Sequence, residues 1–119
     1  MLDLAADDRA MWLKTRSSRL LHIPYGVELN DSSTGIGRLA SGRAFADMII
    51  DQFDELLAAS AEQPLIMSIV IHSFISGQPF RLRPLMAAFE HIAAGRPKIW
   101  LTTPDEICDS IAADPGLAV

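Results

Sequence analysis

Side chains that can exchange protons or bind a polar ligand lie at two points of the 119-residue chain. His72 directly follows the apolar run of residues 65–71 and precedes the sequence SFISGQPFR. Glu28, Asn30 and Asp31 lie in the segment PYGVELND, residues 24–31. Imidazole is the side chain best suited to proton exchange near neutral pH, so His72 could serve as a general acid or base. Structural roles remain open for the same residues: His72 could bond a loop carbonyl, and the carboxylates could order the loop backbone.

Other residues with chemical potential have structural interpretations. His22 falls within a predicted strand, and His91 falls on the polar side of a predicted helix. We expect the following residues to pack in the core, Cys108 as a small buried hydrophobe and the two tryptophans as anchors: Met67, Met86, Cys108, Trp12 and Trp100. A single cysteine excludes an internal disulfide and a cysteine-rich zinc site. The sequence has no GxSxG, HExxH or GxxxxGK motif.

Helices and strands alternate in the predicted order, and this alternation would place both polar segments at strand ends. Short apolar runs predict strands at residues 20–24, 65–71 and 98–101. Helical spacing of apolar residues predicts one helix of about four turns from Phe45 and a second one over residues 81–94. TTPDE predicts a third helix, with Thr103 as N-cap and Glu106 completing a capping box. Residues 30–42 read as a polar surface loop.

This order favours an α/β fold with a parallel sheet of about three βα units. We predict a single domain over residues 1–119, irregular with one strand in 1–41 and helix–strand–helix–strand–helix in 42–119. Reactive groups in such folds gather at the carboxyl ends of the strands, where His72 and the PYGVELND segment would lie. A three-stranded parallel sheet would have bare edges, which recruit other strands.

Composition narrows the classes of partner. The net charge of −5 offers no basic surface for nucleic acid or for an anionic membrane. The apolar run of residues 65–71 is too short to cross a bilayer, and the first residues, MLDLAADDRAMW, are acidic and unlike an export signal. We therefore expect a cytoplasmic protein that acts on a small molecule.

Three ordered segments resemble a known family. LLHIPYGVELND, IMSIVIHSFISGQPFRLRP and KIWLTTPDEI are similar to the carboxyl-terminal half of the polysaccharide deacetylase superfamily, and most of all to its allantoinase-like branch. The resemblance implies a partial (β/α) barrel of the polysaccharide deacetylase type. It also implies hydrolysis of non-peptide carbon–nitrogen bonds in amides or ureides, as in carbohydrate metabolism.

The same resemblance assigns roles to residues. It implies that His72 is the catalytic general acid, that Glu28, Asn30 and Asp31 line the substrate pocket, and that Gln78 and Arg81 support the loop. Members that depend on a divalent metal hold it with an amino-terminal Asp-Asp segment and a His-x-x-x-His pair. We expect no match to these motifs here, because the three histidines, His22, His72 and His91, do not have that spacing. We therefore expect no metal and no cofactor bound by this chain alone, and no activity without further residues.

Alternatives from other functional classes remain open. The chain could be a non-catalytic assembly or binding module, a half-barrel that pairs with a separate amino-terminal half or with a second copy as a homo-oligomer. It could also be an inactive remnant of an enzyme. The missing metal motifs favour both alternatives over a self-sufficient hydrolase.

Overall fold

The computed structural model describes residues 7–119, and helices dominate this part of the chain. A π-helical turn, Ser32–Gly37, precedes α1, and short 3-10 turns flank α4. The remaining elements follow in chain order: β1 (Met11–Lys14), β2 (Arg19–His22), α1 (Gly42–Ala59), α2 (Ser73–Ser76), α3 (Pro79–Ala94) and α4 (Pro104–Ala113).

Helix α1 forms where the helical spacing predicts it. The Ser41 hydroxyl caps its first turn by accepting a hydrogen bond of 3.1 Å from the Ala44 N–H. Its buried face carries Phe45, Ile49 and Phe53, each one turn further along the helix. The prediction of an amphipathic helix is confirmed, but the helix has 18 residues, about five turns, where about four were predicted.

Helix α3 packs along α1 and begins two residues earlier than predicted. Pro79 occupies its first turn, where a missing N–H costs nothing. Pro84 consequently falls in the second turn, where it leaves the Phe80 carbonyl without its usual helical donor. The two helices approach closely at their amino-terminal ends, because a Cβ at Gly42 would lie 2.8 Å from the Arg81 Cα.

The hydrophobic core lies between α1 and α3 and extends to the segment before the π-helical turn. Met67 and Ile69 pack against this core from the extended segment that leads to His72. The core therefore holds both polar segments in place. Its buried members are Leu29, Phe45, Ala46, Ile49, Leu85 and Ala88.

Helix α4 begins as the TTPDE sequence predicts. The Thr103 hydroxyl accepts from the Glu106 N–H, and the Glu106 carboxylate accepts from the Thr103 N–H. Both halves of the capping box are thus formed, and this prediction is confirmed. The hydrogen bonds from Thr102 and Thr103 to the Glu106 carboxylate lower the pKa of that carboxyl.

The predicted three-stranded parallel sheet is not formed among residues 7–119. The strand predicted at 20–24 forms as β2, but it pairs antiparallel with β1, which the sequence pattern missed. Residues 65–71 make one isolated parallel bridge, Asn30 with Val70, and residues 99–101 follow the 3-10 turn Arg96–Lys98 without pairing. A parallel sheet needs a continuous ladder of hydrogen bonds between neighbouring strands, and a single bridge does not form one.

Several predictions of side-chain environment differ from the structure. Met86, Trp100 and Cys108 are exposed, so their predicted burial in the core is wrong. Trp12 is half-buried and its ring receives the Arg19 guanidinium at 5.0 Å. Residues 30–42 contain a helical turn where a loop was expected. Over residues 7–119, no helix combines the length and apolar character needed to cross a membrane.

Candidate functional site

Two backbone segments bring His72 and Asp31 together. The Val70 N–H donates to the Leu29 carbonyl at 2.8 Å, and the Asp31 N–H donates to the Val70 carbonyl at 3.1 Å. This short parallel contact sets the two segments side by side at the points where both turn into helical structure. Asp31 and His72 are 41 positions apart in sequence, and the chain between them, which includes α1, is thereby closed into a loop.

Asp31 accepts hydrogen bonds from both the backbone and the ring of His72. The His72 N–H donates to Oδ2 at 2.8 Å, and His72 Nδ1 lies 2.6 Å from Oδ1. The Ser76 hydroxyl, from α2, donates to Oδ2 at 2.6 Å. Asp31 is only 2% exposed, so this cluster, which we call the Asp31 cluster (Asp31, His72 and Ser76), is centred on a buried carboxylate.

Hydrogen bonding keeps this buried carboxylate ionised. Burial alone would raise the pKa of Asp31, because a charge loses solvation in the interior. The hydrogen bonds from the His72 N–H, the Ser76 hydroxyl and the His72 ring outweigh burial, and the pKa lies below its usual range. Since a carboxylate can only accept hydrogen bonds, Nδ1 of His72 carries a proton.

The other ring nitrogen of His72 remains available for chemistry. The His72 side chain is 37% exposed, and Nε2 has no hydrogen-bond partner among residues 7–119. Helix α2 anchors the site by burying Ile75 and Ser76, while Phe74 stays exposed with its ring centre 5.6 Å from that of His72. A carboxylate on one ring nitrogen and a free second nitrogen is the arrangement of a positioned acid or base.

Asn30 and Glu28, from the same PYGVELND segment, lie close to Asp31 in sequence and have different surroundings. Asn30 uses its side-chain oxygen to accept from the Ser32 N–H at 3.0 Å and from the Ser32 hydroxyl at 2.8 Å. Glu28 is exposed and forms an ion pair of 3.0 Å with Arg38. Asp31, Asn30 and Glu28 therefore run from buried to exposed along the segment.

Gln78 and Arg81 contact different loops. Gln78 Nε2 donates to the Phe74 carbonyl at 3.4 Å, within the turn that follows His72. Arg81 instead donates to the carbonyls of Ala40 and Gly35, at 3.2 and 3.4 Å, and so supports the segment that follows Asp31. A Cβ at Gly35 would lie 2.7 Å from Arg81 Nη1, so a larger residue there would displace the guanidinium.

Sequence reasoning missed Ser76 and the direct contact of Asp31 with His72. Ser76 lies four residues after His72, one helical turn away, and it is 5% exposed. A serine at a buried position of a short helix is a weak signal, because its partner lies 45 residues away in sequence. The long-range contact depends on how the two segments pair, which no local pattern encodes.

The residues present do not form a metal site. Within residues 7–119, no group of three or more His, Cys, Asp and Glu side chains could hold a metal ion. Both carboxylate oxygens of Asp31 already accept hydrogen bonds. We therefore derive no chemical step that passes through a metal.

A second histidine–aspartate pair joins the carboxyl-terminal halves of α3 and α1. His91 Nε2 lies 2.7 Å from Asp54 Oδ1, and the His91 ring meets Phe53 edge-on at 5.8 Å. The side chains are 41% and 56% exposed. A solvated pair of this kind does not hold an imidazole in a defined environment, so we place the candidate site at the Asp31 cluster.

Comparisons with known proteins identify similar chains. No family model matches the sequence. A Schizosaccharomyces pombe protein whose name assigns it to the polysaccharide deacetylases is 30% identical over 96 residues, which is 79% of this chain and 30% of the yeast protein. The crystal structure of PuuE allantoinase is similar over 92% of this chain and 37% of its own, with a TM-score of 0.80 and 30% identity.

The structural match supports the fold class and shows how much of the related proteins this chain spans. A TM-score of 0.80 over nearly the whole chain supports the α/β class, although the parallel barrel strands are not formed among residues 7–119. The chain spans about a third of the length of the two proteins it matches.

Proposed function

Because the chain belongs to the polysaccharide deacetylase superfamily and spans about a third of its relatives' length, we propose that it is the proton-donating part of a carbon–nitrogen hydrolase. The bonds in question are non-peptide ones, in small-molecule amides or ureides. The observation that carries this proposal is the buried, hydrogen-bonded Asp31 that holds one nitrogen of the half-exposed His72.

His72 acts as the general acid. When water adds to the carbon and the carbon–nitrogen bond breaks, the bonding electron pair stays with the nitrogen, which must take up a proton to leave. The imidazolium of His72 gives the proton from Nε2 and keeps the proton on Nδ1, which donates to Asp31. Asp31 is thus a positioning residue: it fixes the orientation of the ring through Nδ1, and it does not touch the substrate.

The other residues of the site have two roles: some contact the substrate, and others support the backbone around His72 and Asp31. Glu28 and Asn30 are the candidates for substrate contacts, because they lie beside Asp31 and extend towards solvent. Gln78 and Arg81 hold the backbone on either side of the site, through the Phe74, Gly35 and Ala40 carbonyls. We assign activation of the water to groups outside residues 7–119, since no group of three or more His, Cys, Asp and Glu side chains in that range could hold a metal ion.

A chimaera tests the proposal. The matched part of PuuE allantoinase is replaced by this chain, and hydrolysis of the ureide substrate of that enzyme is followed. We expect measurable turnover, which His72→Ala lowers by about 10²- to 10⁴-fold. His91→Ala is the matched control, because it removes a histidine that also has an aspartate partner, and it leaves the rate within about twofold.

Two results would contradict the proposal. One is a folded chimaera, verified by circular dichroism, that has no turnover above the background. The other is equal turnover of the chimaera with and without His72. Asp31→Asn sharpens the test, because a positioning role predicts lower kcat with little change in KM.

A further inference from the structure

Helix α3 carries a row of exposed side chains on the face turned away from the core. Its buried residues, Leu85 and Ala88, belong to the core that α3 shares with α1. At about 3.6 residues per turn, a second row lies on the opposite side of the helix. This row, which we call the outer face of α3, consists of Phe80, Arg83, Met86, Ala87, Glu90 and Ala94. All six residues are exposed, Phe80 by 69% and Met86 by 47%, and large apolar side chains grouped on an exposed helix face indicate a contact surface.

Two opposite charges lie on the outer face of α3 without partners. Among residues 7–119, neither Arg83 nor Glu90 forms an ion pair. The two residues lie about two helical turns apart, roughly 10 Å along the axis, so they do not pair with each other. Met86 and Ala87 lie midway between them. Within the described range, the face therefore offers an unpaired cation and an unpaired anion at equal distances from an apolar centre.

We infer that the outer face of α3 binds the same face of a second copy of this chain, with the two helices antiparallel about a two-fold axis beside Met86. The axis reverses the partner helix, so Arg83 of each copy faces Glu90 of the other copy, and all four charges are paired. Side-chain sizes fit the same register. Met86 lies level with Ala87 of the other copy, and Phe80 lies level with its exposed Ala93. Large side chains thus meet small ones across the contact, as in knobs-into-holes packing.

A second copy suits the outer face of α3 better than a partner of another class. A polyanion would be attracted by Arg83 and repelled by Glu90, whereas a second copy supplies both opposite charges by symmetry. A contact made by one helix from each copy is small beside the roughly 800 Å² per partner of a standard interface. We therefore expect a weak dimer, with a dissociation constant in the micromolar range. This pairing does not depend on the chemistry of His72.

Sedimentation velocity tests the pairing directly. For the unaltered chain, we expect the sedimentation coefficient to rise from that of a monomer to that of a dimer between about 5 and 500 μM. Glu90→Arg and Arg83→Glu each place like charges opposite each other, so each variant raises the dissociation constant at least about tenfold. Both changes lie at exposed positions, and circular dichroism verifies that the helices remain. Glu62→Arg makes the same change of charge at an exposed position outside the helices, and this control leaves the dissociation constant unchanged.

A mixture of the two variants distinguishes this register from any other association. Glu90→Arg leaves two cations on the outer face of α3, and Arg83→Glu leaves two anions. Each variant alone repels its own copy, but the mixture forms a heterodimer in which every cation faces an anion. The double variant Arg83→Glu/Glu90→Arg restores both ion pairs within a homodimer and regains the affinity of the unaltered chain.

Three outcomes would overturn the inference. One is a monomer at every concentration of the unaltered chain. Another is association that the single charge reversals leave unchanged, which would place the contact on a different surface. The third is loss of association in both single variants without recovery in the mixture or in the double variant, which would exclude the antiparallel register.

Discussion

The two histidine–aspartate pairs have nearly equal lengths and very different surroundings. The contact is 2.6 Å between His72 and Asp31 and 2.7 Å between His91 and Asp54. Asp31 is 2% exposed and accepts two further hydrogen bonds, whereas the Asp54 side chain is 56% exposed. The comparison shows that burial and additional hydrogen-bond donors, and not the length of the contact, fix the orientation of the imidazole.

The largest expected difference between the pairs is in stability. Asp31→Asn replaces one accepting oxygen by an NH₂ donor, which then faces donors of His72 or Ser76 in a buried position. We expect the free energy of unfolding to fall by about 2–3 kcal/mol. Asp54→Asn at the exposed pair changes it by less than about 0.5 kcal/mol. Urea denaturation at neutral pH measures both. Equal losses for the two variants would show that the buried pair contributes no more stability than the exposed pair.

The pH dependence of that loss is the second test. The pKa of Asp31 lies below its ordinary 3.8, so the folded protein binds fewer protons than the unfolded chain in this range. Its stabilisation is complete above about pH 5 and is lost as the pH falls through the lower folded value. The gap between the parent chain and Asp31→Asn should therefore narrow in urea titrations below pH 5. A gap that stays constant down to pH 2 would contradict the ionised carboxylate.

Removal of a single donor should have a smaller effect. Ser76→Ala deletes the hydroxyl that donates to Asp31 at 2.6 Å, and we expect a loss of about 1–2 kcal/mol. Ser73→Ala is the control from the same short helix, because Ser73 is exposed, and it should change stability by less than about 0.5 kcal/mol. Thermal unfolding compares the two. Similar values would show that Ser76 adds nothing to the cluster.

The third histidine extends the comparison to an imidazole with no carboxylate. His22 is 3% exposed, and its Nε2 has no hydrogen-bond partner in the described part of the chain. His22→Leu removes this unsatisfied nitrogen, so the free energy of unfolding should rise by about 1 kcal/mol. His22→Gln keeps a polar group at the same place and gives no gain. A loss of stability in the leucine variant would show that the nitrogen has a partner.

Local sequence signals predicted α1, α3 and α4 because the causes of these helices are local. The Thr103 and Glu106 capping box lies within four residues, and the buried face of α1 repeats every three or four residues. The strands depend on partners distant in sequence. Residues 65–71 have the composition of a buried parallel strand, yet within residues 7–119 they make one isolated bridge, between Asn30 and Val70.

Two of the three members of the candidate site were predictable from the sequence, but its contacts were not. Asp31 and His72 stand out by type and position, and the resemblance to the superfamily placed both near a substrate. Their direct hydrogen bond results from the pairing of residue 30 with residue 70, which only the folded chain shows. Ser76 completes the cluster from a helix of four residues, too short for periodicity to reveal.

The two carboxylates engage opposite ring nitrogens, Nδ1 in His72 and Nε2 in His91. In acylation, the imidazole nitrogen with a free lone pair attacks the carbonyl carbon of the reagent, which loses its leaving group. Mild carbethoxylation should therefore label the two rings with opposite regiochemistry, at Nε2 of His72 and at Nδ1 of His91. Heteronuclear spectra of the adducts would distinguish the two isomers within a single sample.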